Sequence, residues 1–309
     1  MDEELMINYD APVSDVPMIQ WFPGHMAKTR RLMQENLKYV DIVVEITDAR
    51  IPQSSRNPEI DRIVGKKPRI ILLNKSDSAD REVTVQWLSY YKAKGIPALA
   101  VDCKNGAGLN QLLPTVYRTL DEVIAKRRAK GMTAKLSMMV VGVPNVGKSS
   151  FINRMAKSKR AEVEDRPGVT RGKQWVKIDE NLDLLDMPGV LWPKFEDRLA
   201  GENLAFTGAV KDDILDLTML AMRLLMVLQR EYPNLLKARY KLEGDLVEIS
   251  PYALLEQIGK KRGMLISGGE IDVDRAAIML LDEFRSGKIG RITLERPPEE
   301  NTHEQTRRI

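Results

Sequence analysis

The sequence predicts an α/β fold, a mostly parallel sheet flanked by helices, followed by a mainly helical C-terminal region. Two observations carry this expectation. Short, mostly apolar runs at residues 41–47, 69–73, 97–101 and 136–141 each end in a polar or glycine-rich loop, the pattern of strands buried on both faces. Helical patterns separate these runs, so the strands are expected to lie parallel, with ligands at their C-terminal ends.

After about Gly201 the buried runs cease and helices follow. Residues 212–230 carry an apolar face at helical spacing. Ser250 and Pro251 form an N-cap and first-turn pair before ALLEQIGKKRG, and residues 273–285 form a further helix closed by Gly287. The expected organisation is an acidic N-terminal tail over 1–20, a sheet-bearing domain over 21–200 and a helical domain over 201–309. The length of 309 residues suits about two domains.

Hydrophobic residues at 43% and charged residues at 30% give the balance of a globular protein with a well-charged surface. The single cysteine, Cys103, leaves no internal disulfide, and with two histidines it cannot assemble a zinc site. The longest apolar run, 217–228, is broken by Arg223 and is too short to span a bilayer. The opening MDEELMINYDAPVSD has neither the plan of a signal peptide nor that of a transit peptide, so a cytoplasmic protein without a membrane segment is expected. Net charge is +4, yet the first twenty residues hold five acids and no Lys or Arg, so the remainder is more basic than the total suggests. A polyanionic partner is compatible with that balance.

The motifs are more specific. GVPNVGKS at 142–149 follows one predicted strand and opens a helix, the context of a phosphate-binding loop. Its backbone N–H groups converge on phosphates, Lys148 adds a point charge, and Ser149 offers a hydroxyl to Mg²⁺. Asn145, Val146, Gly147, Lys148, Ser149 and Ser150 are the expected contacts. NKSD at 74–77 ends a second strand: Asp77 can accept from the N1–H and exocyclic amine of guanine, a donor pair that adenine lacks, so GTP and GDP are the expected ligands. Asn74 and Lys75 belong to the same motif. Cys103 and Lys104 stand where the supporting loop of such sites usually reads SAK; here it reads DCK. In DMPG, Asp186 is expected to hold Mg²⁺ and Gly189 to present its N–H to the γ-phosphate, with Thr170 of RPGVTRG as the metal-binding switch threonine.

The order of these motifs is itself informative. A GTPase ordinarily runs phosphate loop, threonine, DxxG, NKxD and SAK, whereas here NKSD and DCK come first, so the sequence reads as a circularly permuted P-loop GTPase. Val190 follows DMPG where many GTPases carry a catalytic glutamine. In a permuted chain the segment entering the 41–47 strand takes the place of the helix that normally follows DxxG. That segment is WFPGHMAKTRRLMQENLKYV, with a helix expected just after Pro23 and Gly24. His25 then becomes the candidate for orienting the attacking water, with Lys148 as the second catalytic residue. Asn145 is a candidate ligand for a monovalent cation between phosphate oxygens.

WFPGHM, NKSD, GVPNVGKS and DMPG in this order resemble the ribosome biogenesis GTPase A family of circularly permuted GTPases, also called YlqF or RbgA, over nearly the whole chain from Trp21. The resemblance implies a bacterial cytoplasmic GTPase acting late in assembly of the large ribosomal subunit. It would bind the subunit precursor through 23S rRNA and ribosomal proteins, as a monomer. It also implies a role in hydrolysis for His25, a glutamine-free class marked by Val190, K⁺ stimulation associated with Asn145, and an RNA-binding helical C-terminal domain. Basic clusters at Lys28, Arg30 and Arg31, at 126–130, 157–160, 166–173 and 260–262, and at Lys288 and Arg291 are candidate RNA contacts; singly, each is more often a solvated face. The rival reading is a GTP-holding RNA assembly scaffold with negligible turnover; a translation or signalling GTPase fits the permuted order less well.

Overall fold

A computed structural model describes residues 26–133, 135–158, 163–164, 175–186 and 198–298. In chain order it contains α1 (Met26–Leu37), β1 (Ile42–Asp48), α2 (Pro58–Val64), β2 (Arg69–Asn74), α3 (Arg81–Ala93), β3 (Ala98–Ala100), α4 (Leu112–Thr119), α5 (Asp121–Ala129), β4 (Leu136–Val141), α6 (Lys148–Ser158), β5 (Val163–Glu164), β6 (Trp175–Asp179) and β7 (Leu182–Asp186). Helices α7 (Arg198–Phe206), α8 (Leu217–Glu231), α9 (Pro233–Tyr240), α10 (Pro251–Lys261) and α11 (Val273–Arg285) follow. The acidic tail, His25, Thr170, Gly189, Val190 and the 166–173 basic stretch lie outside the described residues.

The strands form one sheet in the order β3-β2-β1-β4-β7-β6-β5. From β3 to β7 the pairing is parallel, and β6 and β5 add antiparallel to that edge. The first described strand, β1, therefore lies inside the sheet, beside the strand that feeds the phosphate loop. Sequence periodicity locates β1, β2, β3 and β4, four of the five parallel strands, to within a residue or two; β6, which makes a tight hairpin with β7, is not among the expected strands.

Burial on both faces explains the uniform apolar runs. All seven residues of β1 are buried. Alternate side chains serve opposite layers: Ile42, Val44 and Ile46 join a cluster with α4 and α6, while Val43 joins Met33 and Leu37 of α1, Val64 of α2 and Met139 of β4. Helix α3 covers Ile71 and Leu73 of β2 with Val83, Trp87 and Tyr91. Glu45, buried in β1, is paired with Arg56 at 3.2 Å and Arg69 at 3.5 Å. Burial still raises its pKa against both arginines.

The C-terminal helices surround α8, which packs against α7, α9, α10 and α11. Its apolar run is thus that of a helix buried nearly all round. The helix expected over 212–230 starts later, at Leu217, because Asp216 accepts from the Met219 N–H at 2.9 Å and fixes the N-cap there; Asp212–Ile214 is a separate 3₁₀ turn. Ser250 caps α10 as expected, accepting from the Ala253 N–H at 3.3 Å.

After α11 the chain returns to the sheet as a strap. The N–H of Ile292 donates to Ser78 O at 3.0 Å and that of Leu294 to Arg50 O at 2.8 Å. The Glu295 carboxylate accepts from the N–H groups of Gln53 (2.6 Å) and Ser54 (3.0 Å) and from Asn203 Nδ2 (3.0 Å). Three segments distant in sequence are held by one half-buried side chain.

Leu224, fully buried in α8, tests the centrality of that helix. Leu224→Ala is expected to cost about 3 kcal/mol through lost burial and the cavity left behind, read from a lowered urea midpoint.

Candidate nucleotide-binding site

The described motif residues lie at the C-terminal ends of β1, β2, β3, β4 and β7, where a parallel sheet leaves space for a ligand. Asn74, only 3% exposed, holds the loops together. Its Nδ2 donates to Val146 O of the phosphate loop at 2.6 Å, and its Oδ1 accepts from the Cys103 N–H at 2.9 Å. NKSD thus joins the phosphate loop to the DCK loop. Gly147 is required by this arrangement: its φ is +101°, and an added Cβ would stand 2.3 Å from Asn74 Nδ2.

Lys148 opens α6 and folds back over its own loop, where Nζ donates to Gly142 O at 3.1 Å and Val143 O at 2.8 Å. A phosphate drawing that ammonium would exchange carbonyl partners for anionic ones. Ser149 and Ser150 follow on the exposed first turn of α6. Asp186 ends β7 opposite Val140 of β4, so its strand position is next to the strand entering the phosphate loop. Asn145 adopts a left-handed conformation, φ 60°, and its Nδ2 donates to Gly208 O in the turn after α7. With Lys211, Asp212 and Arg285 they line a cleft beside the phosphate loop.

The base side is built from backbone as much as from side chains. Asp77 and Lys104 are exposed at the rim. Asp102 accepts from the N–H groups of Lys104 at 2.8 Å and Asn105 at 3.1 Å, so the first residue of DCK shapes the loop as an Asx turn. Cys103 is buried, and burial with the nearby Asp102 pushes its thiol up to about 12. The thiol is therefore protonated at neutral pH, and the contribution of Cys103 to the site is its amide.

Sequence reasoning passed over Asp48 and Arg50. In TDAR, at the end of β1, Asp48 pairs with Arg50 at 2.8 Å and with Lys75 of NKSD at 2.9 Å. Burial presses that carboxyl upward, but Arg50 and Lys75 hold it well below the usual carboxylate range. Two opposite charges directly after a buried strand, at its ligand end, were the available signal. The 126–130 and 260–262 clusters are partly spent on structure: Arg127 binds Asp41, and Arg262 pairs with Glu283 at 3.5 Å and lies over Tyr240.

A guanine-type base loop and a phosphate loop joined through Asn74, reached in this chain order, define a circularly permuted P-loop GTPase. Comparison with known proteins agrees. Residues 137–246 match the model of the 50S ribosome-binding GTPase family. The chain is 51% identical over 281 residues to the ribosome biogenesis GTPase A of Bacillus licheniformis, covering 91% of this chain and 99% of that one. Among solved structures, the GDP-bound form of TM YlqF matches with TM-score 0.64 and 26% identity over 86% of this chain and 99% of that one. The GNP-bound YlqF from T. maritima matches with TM-score 0.58 and 25% identity over 87% and 98%. This chain belongs to the ribosome biogenesis GTPase A family and is a GTP hydrolase.

Two outcomes are expected from these contacts. Cys103→Ala keeps the amide and should leave GDP affinity within about twofold while costing about 1 kcal/mol of stability, checked by calorimetric titration and urea unfolding. Asp48 has a folded pKa below its ordinary 3.8, so its stabilisation is complete above pH 3.8 and declines as pH falls below it. Asp48→Asn should lower stability at pH 7 by about 3–5 kcal/mol and flatten the acid limb of a stability–pH curve.

Proposed function

We propose that this GTPase binds the precursor of the large ribosomal subunit through 23S rRNA and ribosomal proteins and hydrolyses GTP to promote a late step of 50S assembly. It would act as a cytoplasmic monomer, with residues 201–309 as the RNA-binding part. The observation that carries this reading is the 51% identity to a ribosome biogenesis GTPase A over 91% of the chain, joined to a phosphate loop and base loop in the permuted order. Among the described residues no helix is long and apolar enough to cross a membrane. Lys260, Lys261, Lys288 and Arg291 are exposed and open to phosphate contacts.

His25 is the proposed water-orienting residue, and the topology supports it. Helix α1 is joined to β1 by the short turn 38–41 and packs on the sheet through Met33 and Leu37. It therefore runs back against β1, and its twelve residues rise about 18 Å, comparable to the length of that strand. An antiparallel return of this kind would bring its first turn toward the phosphate end, with His25 just before it in sequence. Lys148 stabilises charge between the β- and γ-phosphates, Gly189 donates its N–H to the γ-phosphate, and Asp77 selects guanine.

Mg²⁺ suits the proposed donors because Ser149, Thr170 and Asp186 offer only oxygen, and the paired positions of β4 and β7 put Asp186 and the phosphate loop on adjacent strands. When bound, the ion neutralises charge on the phosphate oxygens. Asn145 offers its side-chain oxygen to K⁺, since among the described residues it is the Nδ2 that is engaged, with Gly208 O.

Hydrolysis measured with and without purified large subunits tests the whole reading. Subunits should accelerate turnover, more in KCl than in NaCl, and binding should weaken steeply with salt as RNA contacts release counterions. His25→Ala should lower kcat by about 10²-fold or more with nucleotide affinity nearly unchanged. Flat single-turnover kinetics in both conditions would favour the scaffold instead.

A further inference from the structure

The base loop is gripped from two sides by the C-terminal part of the chain. On one side Lys75, a non-glycine residue held at φ 60°, reaches Asp48 with its ammonium. Asp48 is shared with Arg50, which donates Nε to Oδ1 at 2.9 Å and Nη2 to Oδ2 at 2.8 Å. The remaining Arg50 nitrogen, Nη1, donates to Phe284 O and Arg285 O, both at 3.1 Å. These are carbonyls of the last turn of α11; that of Phe284 also accepts from the Gly287 N–H at 3.1 Å, so Arg50 joins the turn that closes the helix. The guanidinium also lies 5.2 Å from the Phe284 ring centroid. Arg50 is 1% exposed, so neither set of bonds is replaced by water when the other is strained.

On the other side Ser78 follows Asp77 and donates its hydroxyl to the Asp77 carboxylate at 3.0 Å. Ser78 O accepts from Ile292 of the strap. Gly287, where the chain leaves α11, lies so close that a Cβ there would stand 2.7 Å from Ser78 Oγ. The carboxylate offered to guanine and the lysine before it are thus both tied to residues 284–292.

We infer that Asp48 and Arg50 are positioning residues that make guanine affinity depend on the seating of α11 and its strap. A partner that displaces α11 breaks the Arg50 bonds to Phe284 and Arg285, loosens the shared carboxylate and frees Lys75, so the base loop loses its placement. The coupling is reciprocal: a bound guanine nucleotide tightens the seating of α11 by the same factor. The inference rests on residues 74–77 being the guanine loop, and it adds a control of that loop through α11.

The test compares GDP with IDP, whose base lacks the exocyclic amine that Asp77 accepts from. Dissociation constants are measured for the full chain, for Asp48→Asn and for Arg50→Lys, which keeps the charge beside Asp48 and guards against loss of the fold. The unsubstituted chain should prefer GDP. In both variants GDP should weaken about tenfold and IDP less, so the GDP-to-IDP preference shrinks; a purely structural lesion would weaken both alike. Hydrogen exchange should show GDP protecting amides of 284–294 in the unsubstituted chain and not in Arg50→Lys. An unchanged preference in both variants, or protection that survives in Arg50→Lys, overturns the inference. Absence of any GDP preference in the unsubstituted chain would instead overturn the base-loop reading beneath it.

Discussion

The carboxamide of Asn74 is the contact on which the geometry of the site depends. It donates to the phosphate loop and accepts from the DCK loop, so three loops from three strands acquire one relative placement. Each bond is worth only about 1 kcal/mol net, but leaving either buried group unpaired would cost more than that. The preference is therefore for one arrangement, and Gly147 is fixed by it because no side chain fits between the loop and the amide.

Permutation is tolerated because a sheet responds to neighbours, not to chain order. β4 keeps β1 on one side and β7 on the other, and the phosphate loop leaves between them. What changes is the traffic around the sheet. A helix from the start of the described chain, α1, covers β1 and β4, and the helical layer is reached directly after the DMPG strand. The chain then comes back, through the strap, to the opposite end of the sheet at NKSD. The C-terminal region thus has sequence continuity with the β7 side of the sheet and hydrogen bonds to the NKSD loop after β2.

Buried charge marks these junctions. The Asp48–Arg50–Lys75 group and Glu295 lie where segments distant in sequence meet, and Glu45, inside β1, meets Arg56 of the next loop and Arg69 of β2. Desolvating an ion pair consumes much of its attraction, so such pairs are poor sources of net stability. Their effect is discriminating: any competing arrangement of the loops leaves a charge without its partner. Glu295, with its pKa raised by burial in spite of its donors, follows the same pattern at the strap.

By itself the sequence determined the parallel strands, the helical caps at Ser250 and Gly287, the motif order and the family, because period, capping and loop signals are written in residues close along the chain. Tertiary structure decided the rest. It gave Cys103 its role through an amide directed at Asn74, assigned Arg127 to Asp41, and set the start of α8 at a cap that competed with an unbroken apolar pattern. It also supplied Arg50 with carbonyls from the far end of the chain. No local pattern encodes which carbonyls at the end of α11 will meet Arg50, since that depends on where the helix comes to rest against the sheet.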